Sequence, residues 1–251
     1  MCVLFNRANH CCRGGLRTLL GIAFLGFTLA LAQCKKEDDR REGSPAGLEL
    51  AGANAGSQDM DMQVGADIQR NFAHQNLIIL SPPQTPTPEF RAMLDGLYQH
   101  YSDLHEALVD QDQGRIDKLA AIMRDFVEEK RPAGLNGQGP AAWAGHRQVL
   151  RSSLHQISEE TTLGAKRIHF SHLGEAMYCA LKSFGGIGRP LYVLHCPMAF
   201  GQRGAYWLSS TLEVRNPYLS ESMLACGDLQ ETIPDEEADR TLHSPHLEQS
   251  R

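Results

Sequence analysis

From Pro88 onward the chain repeats apolar and polar residues with a helical period. Over residues 88–112 the apolar side chains recur every three or four positions, which places them on one helix face: Phe90, Met93, Leu94, Leu97, Tyr101, Leu104 and Leu108. Thr87 or Thr85 is positioned to cap this helix, and proline suits its first turn. The pattern predicts a long first helix that begins at Pro88.

Three further stretches have the same period. They span 114–130, 141–157 and 163–184, and two glycines end the last of them. Most connections between these helices are short, which favours antiparallel neighbours. We therefore predict a mainly α protein whose core is an antiparallel four-helix bundle.

Residues 187–233 break the helical period. Gly and Pro punctuate this stretch, which contains one short β-like run at 191–194 and a candidate turn of helix at 220–225. We expect a compact, loop-rich C-terminal appendage with a short β hairpin or turn region. Bundle and appendage together form the predicted domain, residues 86–233, and the polar tail 234–251 is expected to be disordered.

Residues 1–33 have the pattern of an export signal. Three arginines precede about 14 nearly uncharged residues, the length of a signal-peptide core and too short to span a bilayer comfortably. Leu31 to Cys34 (LAQC) resembles the bacterial lipobox, in which the cysteine receives lipid and becomes the mature N-terminus, although Gln33 replaces the usual small residue. An ordinary secretory signal and an uncleaved signal anchor are the alternatives.

Residues 34–85 are predicted to be a flexible tether. Up to about residue 76 they are rich in Gly, Ala, Asp and Gln and contain few large apolar residues. The apolar island 77–80 is able to dock on the domain, and the prolines of 81–88 keep that stretch extended. We expect a protein on the periplasmic side of the cell envelope, attached to a bacterial membrane through lipid on Cys34.

The net charge and the positions of the cysteines limit the partners and the chemistry that we expect. The formal net charge is -6, and no Lys/Arg-rich stripe occurs, so we expect no nucleic-acid partner. Export would leave Cys179, Cys196 and Cys226 in the folded part, in a compartment where disulfides persist. Cys179 lies on the apolar side of the fourth helix, where we expect a buried, inert thiol.

One dense group of soft metal ligands stands out in the appendage: His195, Cys196, Met198, Met223 and Cys226. Thiolates and thioethers suit Cu(I) and Ag(I), with imidazole as a borderline partner. A structural disulfide between Cys196 and Cys226, worth roughly 3 kcal/mol, explains the two cysteines equally well and would remove both thiolates. Methionines also fill gaps in cores. The spacing leaves both interpretations open.

Other candidates for chemistry are weaker. His169 and His172 lie three residues apart on the fourth helix and are able to share a ligand, but exposed helical histidines are common. No Cys-x-x-Cys pair, His-Glu-x-x-His, Gly-x-Ser-x-Gly or phosphate-binding glycine loop occurs. We therefore expect a protein that is not an enzyme.

Four motifs of the appendage resemble one known family. They are CPMA at Cys196–Ala199, GAYWLS at Gly204–Ser209, NPY at Asn216–Tyr218 and MLACG at Met223–Gly227. Together they are similar to the small C-terminal domain of periplasmic adaptor (membrane-fusion) subunits of CusB-type copper and silver efflux pumps. The resemblance covers roughly residues 88–233. We expect a stand-alone chain, since the coiled-coil hairpin and β domains of a pump adaptor find no room in 251 residues.

The resemblance implies a copper-handling domain that sequesters Cu(I) or Ag(I) or transfers it to efflux or metal-handling envelope proteins. It implies Cys196, Met198, Met223 and Cys226 as ligands, with His195 as an optional one. It also implies structural roles for Trp207, Asn216, Pro217 and Tyr218. The alternative is a non-catalytic interaction module with a structural Cys196–Cys226 disulfide.

Overall fold

The computed structural model describes residues 66–234, which are mainly helical, as predicted. Four long helices follow one another along the chain: α1 Pro88–Val109, α2 Gln113–Glu129, α3 Gly139–Glu159 and α4 Leu163–Phe184. The predicted signal segment, the lipidation site Cys34, the tether up to residue 65 and the tail from residue 235 lie outside the described residues. Among residues 66–234, no helix combines the length and the apolarity needed to cross a membrane.

Side-chain caps fix where three of the helices begin. The N-caps are Thr87, Asp112 and Thr162, and each accepts a hydrogen bond at 3.0 to 3.3 Å from the backbone N–H three residues further on. Helix α4 ends at Gly185, whose φ of 73° and ψ of 33° are in the left-handed region that glycine tolerates. These local signals explain why the predicted helix starts lie close to the observed ones.

Helix α4 occupies the centre of the fold. Consecutive helices pack against each other, and α4 also contacts α1 and the strand Ala205–Ser209. Nearly every side chain of α4 from Phe170 to Phe184 is buried. A helix that is buried on all sides is typical of the interior of a domain.

The appendage forms a small antiparallel sheet of three strands. They are β1 Leu191–Cys196, β2 Ala205–Ser209 and β3 Asp228–Ile233, in the order β2-β1-β3. The short turn of 3-10 helix Glu221–Met223 lies within the predicted helical turn at 220–225. The sequence indicated only β1, because β3 carries mostly polar residues and gives no apolar alternation.

The residues that precede α1 pack on α4, although we expected a flexible tether over this stretch. Four of their apolar side chains are buried in the core: Ile68, Phe72, Leu77 and Leu80. The carboxylate of Glu175 in α4 accepts the backbone N–H groups of Ala73 and His74, both at 3.0 Å. Residues 66–85 therefore differ from the predicted tether, because a few apolar residues and one buried carboxylate are enough to hold them.

Candidate metal centre

The structure brings two of the predicted ligands, Cys196 and Cys226, into contact. Cys196 is the last residue of β1 and is fully buried, whereas Cys226 lies just before β3 and is half-buried. Because β1 and β3 are paired antiparallel strands, the end of one lies beside the start of the other. The two sulfur atoms are 3.2 Å apart, and both cysteines are free thiols.

The distance of 3.2 Å between the two sulfur atoms is longer than in a disulfide bond and shorter than in a pair of thiolates that share a metal ion. A disulfide bond needs about 2.05 Å between its sulfurs. An ion held about 2.3 Å from each of two thiolates keeps the sulfurs about 3.8 Å apart at a tetrahedral angle. From 3.2 Å, a small side-chain rotation leads to either state, so the pair is suited to both.

Asn216 fixes the loop that carries Cys226. Its side-chain amide is fully buried, donates to the carbonyl of Cys226 at 2.6 Å and accepts the backbone N–H of Tyr218 at 2.7 Å. Its own backbone N–H donates to the carbonyl of Leu224 at 2.8 Å. One residue therefore satisfies backbone groups on both sides of the loop, and buried groups of this kind are costly to leave unpaired.

Two helices hold the same loop from outside. Arg167 of α4 donates to the carbonyls of Pro217 and Leu219 at 2.9 and 2.6 Å. The ring Nε2 of His105 in α1 lies 2.8 Å from the carbonyl oxygen of Arg215. Neither contact has a signal in the sequence, because the partners are separated by 50 residues or more along the chain.

The residues predicted to be structural are buried near the thiols. Trp207 and Tyr218 are 1% and 5% exposed, with ring centroids 6.0 Å apart, and Pro217 is buried between Asn216 and Tyr218 in the chain. Gly227 follows Cys226 and passes close to the indole ring. A Cβ added there would lie 2.5 Å from Cη2 of Trp207, so this position has no space for a side chain.

The three other predicted ligands have different surroundings. Met198 and Met223 are 56% and 40% exposed, so these thioethers do not fill core gaps. His195 is next to Cys196 in β1, where neighbouring side chains point to opposite faces, and its ring centroid lies 4.3 Å from that of Tyr206. Among residues 66–234, no three His, Cys, Asp or Glu side chains are grouped to hold an ion. Within the described residues, the thiol pair therefore has no third His, Cys, Asp or Glu grouped with it.

The ionisation of the candidate ligands follows from their neighbours. The hydrogen bond with Cys196, then burial and the nearby charges, raise the pKa of Cys226. Burial lowers the pKa of His195, although Asp228 opposes this shift. A thiol that stays protonated is a poor nucleophile, whereas a soft cation is able to displace its proton.

Cys179 is separate from this centre. Its side chain is fully buried in α4, and burial together with the charge of Glu175 raises its pKa. Such a thiol is protected from both oxidation and metal exchange. The expectation that this cysteine is buried is confirmed.

The similarity to known proteins covers most of the four helices but not the two thiols. The family model described as "Protein of unknown function (DUF3347)" matches residues 97–187, from within α1 to just beyond α4. No curated protein and no solved structure matches the chain. The matched family carries no assigned function, so the resemblance to copper-efflux adaptors stays a prediction.

Proposed function

We propose that the protein binds Cu(I) or Ag(I) through the thiolates of Cys196 and Cys226 and sequesters the ion or passes it to another envelope protein. The observation that carries this proposal is the contact of two free thiols at 3.2 Å, at the junction of two paired strands. A pair of thiolates is the ligand set that soft monovalent ions prefer.

The surroundings of the thiols support exchange of the ion. Cys196 is fully buried and Cys226 is half-buried, so an ion arrives from the side of Cys226. Met198 and Met223 lie close in sequence to one thiol each, and their exposed, flexible side chains are free to add thioether ligands. His195 is an optional ligand, because β1 directs its ring to the other face. Binding and transfer of this kind require no catalytic step.

The proposed location rests on the sequence. In this proposal the signal segment exports the chain, lipid on Cys34 anchors it to a bacterial membrane, and efflux or metal-handling envelope proteins are its partners. We also propose that α1 to α4 form an antiparallel four-helix bundle, which is supported by the packing of consecutive helices and of α1 on α4. Mass spectrometry of the mature N-terminus tests the anchor, since a Cys34→Ala variant would lack the lipid mass.

Titration of the purified, reduced protein with Cu(I) against a competing chelator tests the metal site. We expect retention of Cu(I) that weakens at least about 100-fold in Cys196→Ser and in Cys226→Ser, since changes outside the ligand shell alone cost up to about 100-fold. Cys179→Ala is the matched control and should bind as the unmodified protein does. Equal binding by all three variants would contradict the proposal.

The same sulfur contact supports a second candidate, a non-catalytic interaction module stabilised by a Cys196–Cys226 disulfide. Alkylation of the denatured protein, before and after reduction, separates the two. The metal proposal expects three reactive thiols in the mature domain without reduction, from Cys179, Cys196 and Cys226. If Cys196 and Cys226 react only after reduction and no Cu(I) is retained, the disulfide candidate replaces it.

A further inference from the structure

Three histidines meet on the surface of α4, and none of them belongs to the predicted thiol centre. His169 and His172 lie one turn apart on this helix, and His74 comes from the segment that packs on it. The ring of His172 is central: its centroid lies 4.9 Å from that of His74 and 5.7 Å from that of His169. All three side chains are half-buried and remain in reach of solvent.

We propose that His74, His169 and His172 form a second metal site, for a divalent ion of borderline softness such as Zn²⁺ or Cu²⁺. Imidazole nitrogen is the ligand such ions share, whereas Cu(I) and Ag(I) prefer the sulfur pair. This inference goes beyond the proposed function, and it depends on none of the residues of the thiol centre.

The distances between the rings fit a shared ion. With a nitrogen about 2.1 Å from the metal, the centroids of two ligand rings lie about 5.0 to 5.6 Å apart for angles of about 100° to 120° at the ion. The observed separations are 4.9 and 5.7 Å. These values lie just outside the two ends of that range, so His74 and His169 are each close to the distance from His172 that two ligands of one ion need.

The orientation of the rings must change when an ion binds. His172 now meets each of its neighbours edge to face, with interplanar angles of 85° and 79°. As they stand, the three rings are not grouped to hold an ion, and neither is any other set of three His, Cys, Asp or Glu side chains in residues 66–234. Rotation about χ2 of histidine is broad and inexpensive, and half-exposed rings have room for it.

A carboxylate also lies beside one of the three rings. Glu160 lies 3.6 Å from the ring of His169. A carboxylate beside a ligating histidine commonly orients its ring and raises its basicity.

An ion at this site would connect two parts of the chain. His74 precedes α1 by more than ten residues, whereas His169 and His172 belong to α4. A ligand that binds only the folded state raises the temperature of unfolding. Metal binding should therefore stabilise the packing of the 66–84 segment on α4, a readout that is independent of any activity.

The test uses Zn²⁺ and the purified full chain, both unmodified and as a Cys196→Ser/Cys226→Ser double variant that removes the sulfur ligands. Calorimetric titration should show one Zn²⁺ bound per chain in the double variant, together with a rise in the unfolding temperature. Absence of Zn²⁺ binding in a folded double variant would overturn the proposal, while leaving the Cu(I) result for the unmodified protein unaffected.

Single variants then locate the ion. His172→Gln, which keeps a polar side chain of similar size, should weaken Zn²⁺ binding at least about 100-fold, and His74→Gln and His169→Gln should weaken it about tenfold or more. His155→Gln is the matched control, because His155 is an exposed histidine of α3. Circular dichroism verifies that each variant is folded. If His155→Gln weakens binding as much as His172→Gln does, the proposal fails.

Discussion

The helices and the sheet region of this protein are stabilised in different ways. In α1 to α4, long stripes of apolar side chains are buried in one core. Residues 191–233 are instead held by a few polar side chains: Asn216 and Arg167 of α4 bind backbone groups of the loop before Cys226, and Glu231 of β3 binds the side chains of Tyr178 and Lys182 of α4. The comparison shows that the candidate chemistry lies where individual residues, rather than bulk burial, determine position.

Truncation of a helix core residue should have the largest effect on stability. Leu104 of α1 is fully buried, so Leu104→Ala should lower the free energy of unfolding by about 2 to 5 kcal/mol. Urea denaturation measures this cost. The fraction that remains folded should bind Cu(I) with unchanged affinity, since Leu104 takes no part in holding the thiols. A loss of Cu(I) affinity in the folded fraction would show that the two regions are not separate.

Removal of the Asn216 amide should affect both stability and the metal site. Asn216→Ala leaves the carbonyl of Cys226 and the N–H of Tyr218 without their partner, at about 1 to 3 kcal/mol for each buried group. Because Cys226 then loses its anchor, we expect weaker Cu(I) binding in the folded protein. Unchanged affinity, measured by chelator competition, would show that the loop does not depend on Asn216.

One buried polar group in the helices should make stability depend on pH. His146 of α3 is fully buried beside the carbonyl of Ile78, and burial lowers its pKa to about 4. In the unfolded chain His146 takes up a proton near pH 6.5, whereas in the folded protein it does so only near pH 4. The free energy of unfolding is therefore highest above pH 6.5 and falls by up to about 3 kcal/mol as the pH is lowered towards 4. Urea denaturation at several pH values should show this slope, and His146→Gln should flatten it. If the stability of the variant depends on pH in the same way, groups other than His146 cause that dependence.

The smallest expected effects on stability come from replacing two glycines, one in the sheet region and one in a helix. Gly227→Ala should lower stability by about 1 to 3 kcal/mol, because the new Cβ would lie 2.5 Å from Trp207. Gly145→Ala in α3 is the matched control: its Cβ meets nothing within 4 Å, so helix propensity should raise stability by about 0.5 to 1 kcal/mol. Thermal unfolding of the two variants should therefore shift in opposite directions. Shifts of the same sign would contradict the close approach of Gly227 to the indole.

The helices were predictable because their signals are local. Apolar periodicity, the caps Thr87 and Thr162, and Gly185 are all visible within a few residues of the elements that they define. The strands β2 and β3 were not identified, since both pair with β1 across intervening loops, and β3 is also held by residues as distant in sequence as Tyr178 and Lys182, which bind Glu231. Register and partner in a sheet are tertiary properties that a short sequence window does not contain.

The candidate site was predictable in its residues but not in its arrangement. The soft ligands were recognisable from their chemistry, and the structure places Cys196 against Cys226. Alternation along β1 separates His195 from Cys196, which the spacing in the sequence did not reveal. Only part of the histidine cluster was predictable from the sequence. His169 and His172 share a helix, whereas His74 lies next to His172 only because the residues before α1 pack on α4.

X-ray absorption at the copper edge of the Cu(I)-loaded, unmodified protein measures the ligands of the ion directly. The sulfur centre predicts a shell made up mainly of sulfur atoms, at about 2.3 Å, from Cys196 and Cys226 with one or both methionines. Met198→Leu together with Met223→Leu should then lower the number of sulfur ligands and leave thermal stability nearly unchanged, since both side chains are exposed. A shell of nitrogen or oxygen atoms in the unmodified protein would contradict the sulfur site.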